Sequence, residues 1–150
     1  MATEVKRSID NNGQIRELID QWAVSVRSQD IEAVMSHYVS DVLAFDVVDP
    51  LEYKGTDMLR ERLTAWLTSF EGPMGFEVSN LEVEAGNELA FCYSLNRVIG
   101  TKRGGGSVDM FWRATLCFRT IDGKWKITHS HASVPFNMET GVASLDLKPS

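Results

Sequence analysis

From Gln14 onward the apolar residues Ile15, Leu18, Ile19, Trp22, Ala23 and Val26 recur at intervals of three and four, the spacing that gives a helix one buried stripe. The pattern predicts a long amphipathic helix ending near Arg27 or Ser28, preceded by a polar, loose segment up to about Asn12. Asp30 stands where an N-cap belongs, and Ile31, Val34, Met35 and Tyr38 make a second, shorter helical stripe. Residues 42–48 are apolar on both faces apart from Asp46, as in a strand covered on both sides. Tyr53-Lys54-Gly55 adds a short strand. Thr56 then caps a third helix whose apolar face is Leu59, Leu63, Trp66, Leu67 and Phe70, and Gly72-Pro73 stops it.

After Gly75 the chain reads as sheet: residues 76–85, 88–99, 107–121 and 124–134, separated by Gly86-Asn87, Gly104-Gly105-Gly106 and Asp122-Gly123. The two-residue Asp-Gly loop suits a type I′ hairpin turn. Pro135 ends the last strand because it has no ladder donor, and residues 137–150 form a tail with alternating Val142, Leu145 and Leu147. Helices followed by an antiparallel meander predict one α+β domain over residues 1–150, with three helices on the concave side of a curved sheet. A sheet closed at one end by helices makes a cone, and a cone has a mouth suited to a ligand.

With 150 residues, 43% of them apolar and 24% charged, the chain can bury one good core. It has no apolar run near the ~20 residues of a membrane span, and its first residues lack the apolar segment of a secretory signal. A cytoplasmic protein with no membrane partner is expected. A formal charge of −6 argues against a nucleic-acid partner. The small basic pair Lys102-Arg103 sits beside three glycines and reads as a solvated loop. Cys92 and Cys117 fall inside predicted strands, where free cysteine behaves as a small buried hydrophobe.

Candidate chemistry concentrates on the last strand. Alternation puts Trp125, Ile127, His129, His131 and Ser133 on one face, the composition of a half-apolar pocket wall. The two histidines suit an acid–base pair, hydrogen-bond donors to a ligand, two metal ligands, or a satisfied core network. A metal needs a third ligand. The one remaining histidine is His37, and Pro135-Phe136 occupy the place of the downstream Glu in cupin-like His-x-His sites, so neither metal nor cofactor is expected. Asp46, among apolar neighbours, is either a pocket base or a structural carboxylate paired with Arg113 or a histidine. If Trp112 faces outward, Arg113 faces the pocket and can orient a substrate. Trp22, Tyr38, Trp66 and Phe70 lie on buried helical stripes that roof such a cavity, and Asn96 is a polar residue within an apolar strand.

Asp30-Ile31-Glu32-Ala33 with Tyr38, Phe45-Asp46-Val47, Tyr53-Lys54-Gly55, Gly72-Pro73, Arg113 to Thr115, Asp122-Gly123-Lys124-Trp125 and His129-Ser130-His131 before Ser133-Val134-Pro135-Phe136 together carry a family likeness. The chain resembles the ketosteroid isomerase-like, polyketide cyclase-like (SnoaL-like) branch of the nuclear transport factor 2-like superfamily over nearly its whole length. The resemblance implies a cone-shaped fold, a homodimer, a deep apolar pocket for a hydrophobic small molecule, and acid–base catalysis without a cofactor. Asp46 falls where the isomerases place their base. The tyrosine and acidic donor that stabilise the enolate fall at Trp22 and Thr115, which supply weaker donors. The leading expectation is proton-transfer chemistry (isomerisation, cyclisation or dehydration) with Asp46, His129 and His131 catalytic. Arg113, Trp22, Tyr38, Trp66, Phe70, Asn96 and Thr115 would contact substrate. The alternative is a non-catalytic ligand-binding or dimerisation module of the same fold.

Overall fold

A computed structural model describes residues 2–150, with side chains from Asp10 onward. Helix α1 spans Ala2–Arg27, so the chain is helical well before Gln14, where a loose segment was expected; Met1 lies outside the described residues. Two asparagines clamp the helix: the Asn11 amide donates to the Gly86 carbonyl at 2.8 Å, and Asn12 accepts the Ala85 N–H at 3.0 Å. The predicted stripe is buried, from Ile15 to Val26, with Trp22 packed against it.

Gln29, at φ 57°, turns the chain, and Asp30 caps α2 (Ile31–Met35) by accepting the Ala33 N–H. Strand β1 spans Tyr38–Phe45. It therefore begins four residues earlier than expected, and Asp46 lies just past its end instead of inside it. The sheet takes Tyr38 from the helical stripe because the Ile127 N–H donates to the His37 carbonyl at 2.8 Å and Tyr38 pairs with Ile127. After β2 (Tyr53–Lys54), α3 spans Gly55–Thr68. Lys54, not Thr56, is its N-cap, with no side-chain capping bond, and the helix stops at Ser69, ahead of Gly72-Pro73.

The four long strands fall close to their predicted ranges: β3 Gly75–Ala85, β4 Leu89–Thr101, β5 Ser107–Ile121 and β6 Lys124–Ser133. Asp122 and Gly123 both have positive φ, as the type I′ turn between β5 and β6 requires. The sheet order is β2-β1-β6-β5-β4-β3, antiparallel except where β1 runs parallel to β6. This is an α+β cone with an unclosed, curved sheet. Helix α1 lies on β3 and α3 on β1, so the helices cover the inner face. Phe70, Phe76 and Phe118 are each 1% exposed, and each contributes about 1.5–3 kcal/mol through burial. Among the described residues no helix is long and apolar enough to cross a membrane.

A bulge in β6 decides which side chains reach the interior. Phe118 pairs with Ile127 and Cys117 with His129, so Thr128 has no partner on β5 and the alternation shifts by one. Before the bulge Trp125 and Ile127 face inward and are buried. After it Ser130 pairs with buried Leu116 and Ala44 on the inner side.

Candidate functional site

The helices and the inner sheet face enclose a cavity of about 630 Å3, in the range of small-molecule sites. Its walls are mainly apolar. Trp22 from α1, Trp66 from α3, Phe76 from β3 and Trp112 from β5 meet through ring contacts of 5.3 Å (Trp22–Phe76), 6.2 Å (Trp66–Phe76) and 6.2 Å (Trp66–Trp112). Phe70 extends the cluster at 6.0 Å from Trp66. Trp22 and Trp66 thus line the cavity as their helical spacing predicted, while Phe70, expected on the third helix, lines it from the stretch after α3, where it bridges Lys102.

Polar groups break this surface, among them Asp46, Tyr38, Asn96 and Lys102. Asp46, just past β1, accepts the Arg62 Nε–H through Oδ2 at 2.8 Å and the Val47 N–H through Oδ1 at 2.7 Å. Both oxygens are therefore held, and the partner is Arg62 rather than Arg113 or a histidine. Tyr38 is buried and accepts the Trp22 indole N–H at 3.2 Å. Its own hydroxyl proton has no acceptor among the described residues. Burial, with a smaller contribution from the charge of Asp46, pushes Tyr38 up to about 12 against the opposing hydrogen bond from Trp22, so the hydroxyl stays a donor at neutral pH. Asn96, 2% exposed, accepts from Ser94 Oγ at 2.8 Å, which leaves its amide N–H groups to the cavity.

Lys102 is the last of these. The stretch after α3 runs alongside the end of β4: Glu71 N–H donates to Thr101, Arg103 N–H donates to Ser69, and Phe70 bridges Lys102. Lys102 Nζ donates to Ser69 Oγ at 2.6 Å and lies 4.0 Å from the Phe70 ring centre. Burial, then the neighbouring Arg62 charge, lowers its pKa. It is a cavity residue and not part of a solvated loop.

The histidine wall is rearranged by the bulge. His129 does not line the cavity. Its Nδ1 lies 2.6 Å from the Leu43 carbonyl, which can only accept, so Nδ1 carries the proton. Its ring packs edge-on against Phe45 at 4.8 Å, and His131 flanks the same ring at 5.4 Å. His131 and its cross-strand partner Thr115 are exposed and border the cavity, while Ser130 and Ala132 take the inner phase beside them. Arg113 is on the outer face: Trp112 points inward, and Arg113 is exposed and donates to Ser133 Oγ at 3.1 Å. Among the described residues no three His, Cys, Asp or Glu side chains come together as a metal-binding group. Cys92 is buried and Cys117 half-buried, both free.

Arg62 and Lys102 escape a reading of sequence periodicity, although each has a signal. Arg62 lies three residues after Leu59 and four before Trp66, on the flank of the apolar stripe. Lys102 continues the even-numbered inner phase of Asn96 and Val98.

A family model described as a SnoaL-like domain matches residues 15–137. Among solved structures, a nuclear transport factor 2-like protein of unknown function from Pseudomonas putida KT2440 is 37% identical, covering 95% of this chain and 99% of its own, with a TM-score of 0.86. A putative dehydratase of the same superfamily from Streptomyces avermitilis is 15% identical over 84% of this chain and 97% of its own, TM-score 0.75. A superfamily protein from Salmonella enterica is 13% identical over 90% and 98%, TM-score 0.77. Among curated proteins none matches the chain.

Proposed function

Because the chain belongs to the SnoaL-like domain family of the nuclear transport factor 2-like superfamily, we propose that its cavity binds an apolar, ring-bearing small molecule and moves a proton on it. Asp46 removes a proton from the carbon next to a carbonyl. The electron pair passes to the carbonyl oxygen, Tyr38 O–H donates a hydrogen bond to that oxygen, and the proton returns from Asp46 to another carbon. The observation that carries this reading is the uncommitted hydroxyl proton of Tyr38 in the same cavity as Asp46. Counting along the sequence puts Trp22 where the isomerases have their tyrosine; here Trp22 orients a tyrosine supplied from β1. Asn96 is a second donor, and His131 and Thr115 act at the border. Dehydration would begin with the same proton removal.

The reading is tested by turnover of a panel of enolisable aryl ketones. Asp46→Asn abolishes turnover if Asp46 is the base; unchanged turnover rejects the assignment. The engagement of both Asp46 oxygens by the protein supports the rival, a ligand-binding module without chemistry. That rival predicts tight binding that neither Asp46→Asn nor Tyr38→Phe alters. A homodimer belongs to the same proposal, supported by exposed Leu89, Phe91 and Tyr93 on the outer face, the last two stacked at 6.5 Å.

A further inference from the structure

We propose that the cavity selects a ligand carrying a carboxylate, received by Lys102 Nζ and the terminal nitrogens of Arg62. This deepens the proton-transfer reading and rests on the same cavity. Two cations, Arg62 and Lys102, line a mainly apolar cavity, and their charges are not fully matched. Arg62 gives its Nε–H to Asp46, and its terminal nitrogens make no hydrogen bond among the described residues. Among the described residues no buried side-chain nitrogen or oxygen lacks a partner, so those terminal nitrogens are open to solvent or ligand.

Lys102 has a hydroxyl and an aromatic face for neighbours, with no carboxylate within ion-pair distance among the described residues. The charge that acts on it is another cation, Arg62. Of the other acidic residues around the cavity, Asp109 is taken by Arg97 through two bonds of 2.8 Å, and Asp146 on the tail pairs with neither cation. Asp46 therefore offsets one of the two positive charges, and one is left over.

A like-charged pair drawn partly out of water is unfavourable until an anion joins it, and the attraction grows as water leaves. One uncompensated charge matches a monoanion. A phosphate monoester, carrying about −1.5 to −2 near pH 7, would exceed the single charge left over. The ammonium is also positioned, because its seat on the Phe70 ring and Ser69 Oγ fixes it before a ligand arrives, which reduces the ordering cost of binding. The ligand class is therefore an apolar carboxylic acid whose ring system lies among Trp22, Trp66, Phe76 and Trp112.

Calorimetric titration with 1-naphthaleneacetate, the neutral 1-naphthaleneacetamide and 1-naphthyl phosphate tests this on the intact protein. The acetate is expected to bind about tenfold more tightly than the amide at about pH 7, the worth of one charge-assisted hydrogen bond, with the advantage shrinking as salt is added. Lys102→Met removes the advantage, Lys102→Arg keeps it, and Asp46→Asn increases it by freeing Arg62. Equal affinity for acetate and amide in the unmodified protein overturns the proposal, as does an advantage that survives Lys102→Met. Tighter binding of the phosphate than of the acetate overturns the carboxylate assignment. The two readings separate cleanly: an acid preference without Asp46-dependent turnover rejects the catalytic reading alone, and Asp46-dependent turnover without acid preference rejects this one alone.

Discussion

Trp22 donates its indole N–H to the Tyr38 hydroxyl oxygen at 3.2 Å, a bond that joins α1 to β1 at the wall of the cavity. An indole has only a donor to give, so the tyrosine must accept there and direct its own proton elsewhere. The arrangement makes one aromatic residue a positioning group for another.

Tyr38→Phe is expected to lower turnover roughly 10²–10³-fold, the range for losing one donor to a developing oxyanion. Trp22→Phe keeps the hydroxyl but frees its orientation, and a smaller loss in kcat is expected. Steady-state kinetics on the substrate used for Asp46→Asn distinguish the two. Equal losses would make Trp22 more than a positioning residue.

The buried hydroxyl also sets an alkaline limit on stability. Tyr38 is raised from 10.0 to about 12, chiefly by burial, so the folded state holds its proton more tightly than the unfolded state does. The stabilisation is complete below pH 10.0 and is lost as pH rises towards about 12. The buried Cys92 thiol, pushed from 9.0 to about 12, acts in the same direction from a lower starting point. Denaturant midpoints measured from pH 8 to pH 11 should fall for the natural protein and fall less steeply for Tyr38→Phe; parallel curves would exclude Tyr38 as a source.

Gly100→Ala tests the aromatic seat beneath Lys102. A Cβ at Gly100 would lie 2.8 Å from Phe70 Cδ1 and 3.2 Å from Cε1, and Phe70 is almost fully buried with little room to move. A loss of about 1–3 kcal/mol is expected from such overpacking, read from chemical denaturation. Weakened binding of 1-naphthaleneacetate should accompany it, because the displaced ring carries Lys102.

A double-mutant cycle on Asp46 and Arg62 measures their pairing. Their side chains are 21% and 19% exposed, enough to screen the charges in part, so a coupling of roughly 1–2 kcal/mol is expected. Arg62→Met alone should cost more stability than the double variant with Asp46→Asn, since it leaves the carboxylate without its cation. Additive effects would mean that the pair contributes little to the fold.

The stripe Ile15–Val26 and the four long strands were legible because burial there follows a fixed period over many residues. Tyr38 was not, because its spacing satisfies the helix before it and only its pairing with Ile127, far along the chain, assigns it to the sheet. Lys102 was hidden by neighbouring glycines that suggested a free loop, while a short ladder to Ser69–Glu71 actually holds it. Asp46, Trp22, Tyr38, Trp66 and Phe70 all lie around the cavity. His129 and Arg113 face away from the cavity and His131 only borders it: each facing is decided by neighbouring strands, and no local pattern reveals a bulge or which side of β5 Trp112 takes.

Thr128 is a spare residue in β6. The residues on either side of it pair with consecutive positions of β5, so its removal would leave Ser130 and Ala132 where they are and simply regularise the ladder. Chain length in this strand is thereby decoupled from what the cavity displays. A relative one residue shorter can present the same inner wall, whereas one of equal length that pairs every residue presents the opposite set, histidines included. Aligned positions beyond Thr128 can then face opposite ways, and identity there is a poor guide to shared chemistry.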